Sequence, residues 1–238
     1  MNVILLDTDN LLINQQAVIA NPKTITHIRS VLGAGVGDEL KVGQLGGRLG
    51  RAIISVIDDN QVQLSKVCLD TPPPPKLDLT VVLALPRPKV LRRLMMDMAA
   101  MGVRHIVLVN SFRTDKSYWS SPLLNRSREY LIEGLEQGVD TQLPQLTFAK
   151  RFKPFVQDEL PTLIGGGRAV VAHPYASHSL ADLTADGLPT VLVVGAEGGF
   201  IPYEIELLGS VGVQAASLGS RILRTESAVN ALLGRWLA

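Results

Sequence analysis

Two glycine-punctuated loops near the C-terminus carry the residue types best suited to holding a ligand. The first, Gly195-Ala196-Glu197-Gly198-Gly199-Phe200, directly follows the apolar run 190–194 (Thr-Val-Leu-Val-Val). The second, Ser217-Leu218-Gly219-Ser220-Arg221-Ile222-Leu223-Arg224-Thr225-Glu226, follows the run 213–216. A run that is apolar and β-branched throughout suits a strand buried on both faces of a parallel sheet. Loops leaving one edge of such a sheet form the crevice in which α/β proteins bind ligands. Glycine there lets backbone amides and carbonyls approach a ligand with no Cβ in the way.

Other chemistry is poorly supported. The chain has no GxxxxGK[ST] phosphate loop, and its glycine loop lacks the GxGxxG spacing of dinucleotide binders. A GxSxG hydrolase elbow is absent as well. His27, His105, His173 and His178 have no metal-ligand spacing with one another or with Cys68, so no metal is expected. His105, inside an apolar run, reads as structural.

The elements that must position the two loops alternate. Residues 79–85, 103–109, 146–149, 168–172, 190–194 and 213–216 read as strands. Residues 89–101, about 121–137, 202–208 and 225–236 read as helices. This β-α order argues for a parallel sheet with helices on both faces. In the helix at 89–101, Val90, Leu91, Leu94, Met95 and Met98 share one face, and the methionines read as core filler. Ser121-Pro122 supplies an N-cap and a first-turn proline.

Upstream lies Thr71-Pro72-Pro73-Pro74-Pro75, a stiff extended spacer that no central strand can contain. Before it, short strands at 39–42, 51–57 and 61–67 are separated by turn-rich segments, and 27–32 suits a short helix ending at Gly33. Two domains are expected, a small β-barrel over 1–71 and an α/β domain over 72–238.

Composition agrees with a globular protein: 238 residues, 46% hydrophobic and 19% charged. No apolar run is long enough to span a bilayer, and a single cysteine excludes an internal disulfide, so a cytoplasmic location is expected. The net charge of +1 conceals an asymmetry: from Arg87 to Arg128, nine basic residues face two acidic ones. Such a segment fits a polyanion partner; a solvated helix face with its loops fits it equally well.

The loop Val194–Phe200, followed by Glu204-Ile205, and its partner 218–228 (LGSRILRTESA) resemble the signature motifs of the RsmE family. That family is a branch of the SPOUT methyltransferases and methylates N3 of a uridine in 16S ribosomal RNA with S-adenosylmethionine. Residues 27–32 with Gly37-Asp38-Glu39-Leu40 also resemble its PUA-like RNA-binding barrel. The resemblance implies a SPOUT-type parallel sheet with a C-terminal trefoil knot, a homodimer, and a cofactor pocket near the subunit interface. The pocket would be lined by Ala172 and His173, by Gly195, Glu197, Gly198 and Gly199, and by Leu218, Gly219, Ile222, Leu223, Arg224 and Ala228. Arg224 would stabilise a developing uracil anion, and Glu226 would accept a proton or orient Arg224. Structural roles stand beside these. Thr225 can cap the terminal helix, Glu226 suits its first turn, and Arg224 can pair with a carboxylate. Glu197 can hold its loop's shape by bonding backbone amides. Arg29, Arg92, Arg113 and Lys116 would contact RNA, as naked 16S RNA or in the small subunit.

Three departures from the family pattern lie outside the pocket. The stretch Asp97 to Val103 lacks the lysine and glutamate that relatives carry there, and the run Glu133 to Asp140 lacks the arginine of their Glu-Gln-Ser-Gly-Arg-like run. Two alternatives accompany uridine-N3 methylation: methylation of another RNA position, and a non-catalytic RNA-binding or ribosome-assembly protein that keeps the fold.

Overall fold

The computed structural model describes residues 2–237. The chain divides into two compact units, Met1–Pro75 with Ile132–Leu143, and Lys76–Leu131 with Pro144–Ala238.

The first unit is built on a curled six-stranded mixed sheet. Its strands are β1 (Ile4–Leu6), β2 (Leu11–Leu12), β3 (Gln16–Ile19), β4 (Glu39–Gln44), β5 (Leu49–Ile57) and β6 (Val62–Thr71), in the order β1-β4-β5-β6-β3-β2. Only β1 and β4 pair in parallel. Along β4, Leu40 and Val42 are buried while Glu39 and Lys41 are exposed, the alternation of a sheet with one wet face. Leu40 and Val42 join Leu6, Ile54 and Leu64 in this unit's core.

Helix α1 (Pro22–Thr26) starts at Asn21, whose side chain accepts from the Lys23 amide, and runs on as a π-helical turn over His27–Val31. The helix expected at 27–32 therefore begins earlier, because Asn21-Pro22 supplies both the cap and the first-turn proline. Segment Ile132–Leu143 is tied in by backbone bonds: Asn2 N–H donates to the Glu136 carbonyl at 2.9 Å, and Gly46 N–H to that of Thr141 at 2.8 Å.

The second unit contains β7 (Leu77–Ala84), α2 (Pro88–Ala100), β8 (Val103–Val109), α3 (Pro122–Asn125), α4 (Ser127–Gly138, shared with the first unit), β9 (Gln145–Ala149), α5 (Phe152–Pro154), α6 (Leu160–Ile164) and β10 (Ala169–Ala172). It continues with β11 (His178–Ser179), α7 (Leu180–Leu183), β12 (Val191–Val194), α8 (Pro202–Ser210), β13 (Val213–Ser217) and α9 (Thr225–Leu233). Seven strands form a wholly parallel sheet, ordered β11-β13-β10-β12-β7-β8-β9. The expected β-α alternation is present.

Val82, Val107, Val171 and Val193 pack with Phe155, Leu160 and Leu208 in one core cluster. The residues between them, Val81, Ile106, Val170 and Leu192, are equally buried, so both faces of the sheet are covered. All five apolar residues named for α2 are buried. His105 is buried too, with Nε2 2.9 Å from Thr147 Oγ1, and burial lowers its pKa. The helix expected over 121–137 is interrupted at Arg126, which ends α3. Ser121 caps α3 as expected, accepting from the Leu123 amide at 3.3 Å.

Candidate functional site

Because the sheet is parallel, the loops that follow β7, β8, β10, β12 and β13 all leave its C-terminal edge. The expected pocket residues therefore gather at that edge: Ala172 and His173 after β10, Gly195 to Gly199 after β12, and Leu218 to Arg224 after β13. The last two loops flank the first, since β10 lies between β12 and β13. The His173 amide donates to the Ala216 carbonyl at 2.8 Å, which joins the loops after β10 and β13. The His173 ring stacks edge-on with Tyr175, 5.7 Å between centroids, and burial lowers its pKa. It is therefore held in the neutral form near pH 7.

The loop after β12 is a tight turn closed by Gly199 N–H donating to the Ala196 carbonyl at 2.9 Å. Gly199 has φ +66°, a conformation that a side chain would strain. A Cβ on Gly198 would meet the Arg113 side chain at 2.9 Å, and the Arg113 guanidinium donates to the Gly198 carbonyl. Glu197 accepts from a backbone amide, that of Arg87, at 3.1 Å. It thereby ties its loop to the one after β7.

Glu204, only 3% exposed, accepts from Ile201 N–H at 2.9 Å and from Phe112 N–H at 2.7 Å. One carboxylate thus caps α8 and fixes the loop after β8. The sequence displayed Glu204 in the first turn after Pro202, and a glutamate at that helix position is a capping signal. Its second partner, 92 residues away, had no signal.

The loop after β13 is exposed. Leu218 is 39% exposed, Ile222 71% and Leu223 39%. Arg224 occupies the N-cap position of α9, and its carbonyl accepts from the Ala228 amide at 2.8 Å. Among the described residues no carboxylate pairs with its guanidinium. Thr225 is buried at the first helical position, so Arg224, not Thr225, stands at the cap. Glu226 lies in the first turn and accepts from Arg93 at 2.7 Å. One turn on, Asn230 donates to Asp97 at 3.0 Å. Two residues four apart on α2 thus meet two residues four apart on α9, locking the helix that follows the loop.

The expected RNA contacts are dispersed. Arg113 and exposed Lys116 follow β8, next to the pocket loops. Arg92 lies over the Tyr130 ring at 5.3 Å. Arg29 belongs to the first unit, paired with Asp59. Among the described residues, no group of three or more His, Cys, Asp or Glu could hold a metal, and no helix is long and apolar enough to cross a membrane.

The glycine-rich loops at the C-terminal edge of the parallel sheet lie within the segment that the family comparison covers. Residues 73–237 match the model of the RNA methyltransferase domain, and the chain belongs to that family. It is similar to ribosomal RNA small subunit methyltransferase E of Treponema pallidum, 28% identical over 96% of this chain and 87% of that protein. The protein of that name from Mycobacterium tuberculosis is 26% identical over 83% of this chain and 77% of its own length. Among solved structures, the fold is similar to that of ribosomal RNA small subunit methyltransferase E from Neisseria gonorrhoeae, bound to S-adenosyl methionine. That similarity has a TM-score of 0.79 at 22% identity, over 99% of this chain and 96% of the other. These relatives bear out the RsmE resemblance carried by the two loops.

Proposed function

We propose that this protein transfers the methyl group of S-adenosylmethionine to N3 of a uridine in 16S ribosomal RNA. The observation that carries the reading is the pairing of a pinned glycine loop with an exposed apolar loop ending in Arg224, which has no carboxylate partner among the described residues. The residues fit the cofactor. Gly195 to Gly199 leave backbone groups accessible, while Leu218, Ile222 and Leu223 offer apolar surface for an adenine ring. Neutral His173 places no cation against a sulfonium.

When bound, S-adenosylmethionine supplies a methyl group on an electrophilic sulfonium. Uracil N3 must lose its proton to offer a lone pair, and the base must lie outside any stack. Arg224, a permanent cation with no carboxylate partner among the described residues, stabilises the negative charge that develops on the uracil. Glu226 is held by Arg93, in the first turn after Arg224, and serves as proton acceptor or as part of that positioning.

The wider reading follows the family. Residues 1–71 form a PUA-like RNA-binding barrel, and 72–238 a SPOUT methyltransferase domain whose C-terminal segment is knotted. The protein acts in the cytoplasm as a homodimer, with Arg29, Arg92, Arg113 and Lys116 contacting RNA. Arg113 spends one donor on Gly198 and keeps others for phosphate. Two measurements test the reading. Calorimetry should show saturable binding of S-adenosylmethionine; absence of heat at millimolar cofactor would leave a non-catalytic RNA-binding protein. Mapping methylated nucleotides in ribosomal RNA from a deletion strain should reveal one missing N3-methyluridine. Loss of a different mark would reassign the target atom.

A further inference from the structure

Phe112 is 76% exposed, although the backbone beneath it is tightly held. Its amide donates to buried Glu204 at 2.7 Å. On one side Ser111, 1% exposed, has its hydroxyl 2.9 Å from Thr114 Oγ1, which donates in turn to the Leu85 carbonyl at 3.3 Å. On the other side Arg113 reaches the Gly198 carbonyl. A phenyl ring is thus presented to solvent from a rigid mount, at the sheet edge that carries the candidate pocket. A single exposed phenylalanine needs no explanation in general. This one has three further attributes: anchorage through Glu204 to the helix that follows the signature loop, position after β8, and a segment in which Arg113 and Lys116 outnumber Asp115. β8 is two strands from β12, roughly 10 Å at ordinary strand spacing. Arg113 and Lys116 follow in the same segment, and Lys150 lies 5.9 Å from the centre of the Trp119 ring. Trp119 is itself anchored, its indole N–H donating to Asn110 at 2.9 Å.

Aromatic rings mounted among cations are how proteins hold unpaired nucleobases, each stack adding roughly 1–3 kcal/mol. A rigid mount matters because little conformational entropy is then lost on stacking. We infer that Phe112 is a stacking platform for an unpaired base of the RNA substrate, holding the strand beside the pocket. The inference rests on the RNA-methylating reading for the identity of the substrate, and the net basic segment from Arg87 to Arg128 that contains Phe112 selects RNA over a second copy of the chain.

The test uses the full-length protein and a single-stranded, uridine-rich RNA carrying 2-aminopurine, whose fluorescence is quenched on stacking. Phe112→Ala and Phe112→Leu should weaken RNA binding about 5- to 150-fold and abolish the quench. Phe112→Trp should restore both, and calorimetric affinity for S-adenosylmethionine should stay as in the wild type. Unchanged RNA affinity in Phe112→Ala, or full affinity in Phe112→Leu, would overturn the inference. So would a change confined to oligomeric state in sedimentation velocity, which would make Phe112 a subunit contact. Wild-type protein that quenches the RNA through Phe112 but binds no S-adenosylmethionine would sink the methyltransferase reading and leave the platform standing.

Discussion

The loop after β12 is held by its neighbours, whereas the loop after β13 is held only at its ends. Glu197, Glu204 and Arg113 fasten the first to the loops after β7 and β8. Among the described residues, no side chain from 218 to 224 makes a hydrogen bond or ion pair. Below that second loop, α9 is locked to α2 by the Glu226–Arg93 and Asn230–Asp97 contacts. The first loop is therefore preorganised by the protein, and the second is an exposed span between fixed ends.

The contrast can be broken most severely at Arg224. Arg224→Ala should lower turnover about 100- to 1000-fold, as loss of one charge-stabilising donor does, with little change in cofactor affinity. Equal losses in kcat and calorimetric affinity would make Arg224 a binding residue. Glu204→Ala should cost about 2 kcal/mol of stability in urea melts, because it leaves the part-buried Ile201 and Phe112 amides without their acceptor. It should also accelerate hydrogen exchange at both amides, making the held loop resemble the free one; retained protection would show that the turn holds itself.

A second buried glutamate sharpens the point. Glu136 in the first unit has one long bond, from Leu5 N–H at 3.4 Å, and burial pushes its pKa up to about 7 despite nearby Lys23; Glu133 pushes the same way. A raised folded-state pKa stabilises the fold below the unfolded value and loses that contribution as pH rises through about 7. Stability should fall by about 3 kcal/mol between pH 4.5 and 8 on this account, and Glu136→Gln should flatten that dependence. An unchanged pH profile in the variant would assign the effect to other groups. The smallest effect is expected at Glu197. Glu197→Ala removes one exposed bond, to Arg87 N–H, and should cost under about 1 kcal/mol in the same melts.

Much of this molecule was legible residue by residue. The β-branched runs at 103–109 and 190–194 marked buried parallel strands, Ser121-Pro122 marked a helix start, and the two glycine loops marked the candidate pocket. These signals are local, since side-chain periodicity, capping chemistry and backbone freedom act within a few residues. Short strands such as β1 and β3 gave no usable period, and the helical stretch from Phe152 to Ile164 is broken by a π-helical turn over Phe155–Glu159 that blurs its pattern. The interrupted helix at Arg126 and the assignment of Ile132–Leu143 to the first unit were likewise invisible. Only the tertiary structure decided that Glu204 holds Phe112, that Arg93 holds Glu226, and that Arg224 meets no carboxylate among the described residues. Those pairings depend on which loops become neighbours when β12, β7 and β8 align, and strand order is fixed by the packing of the whole sheet, not by any segment of the chain.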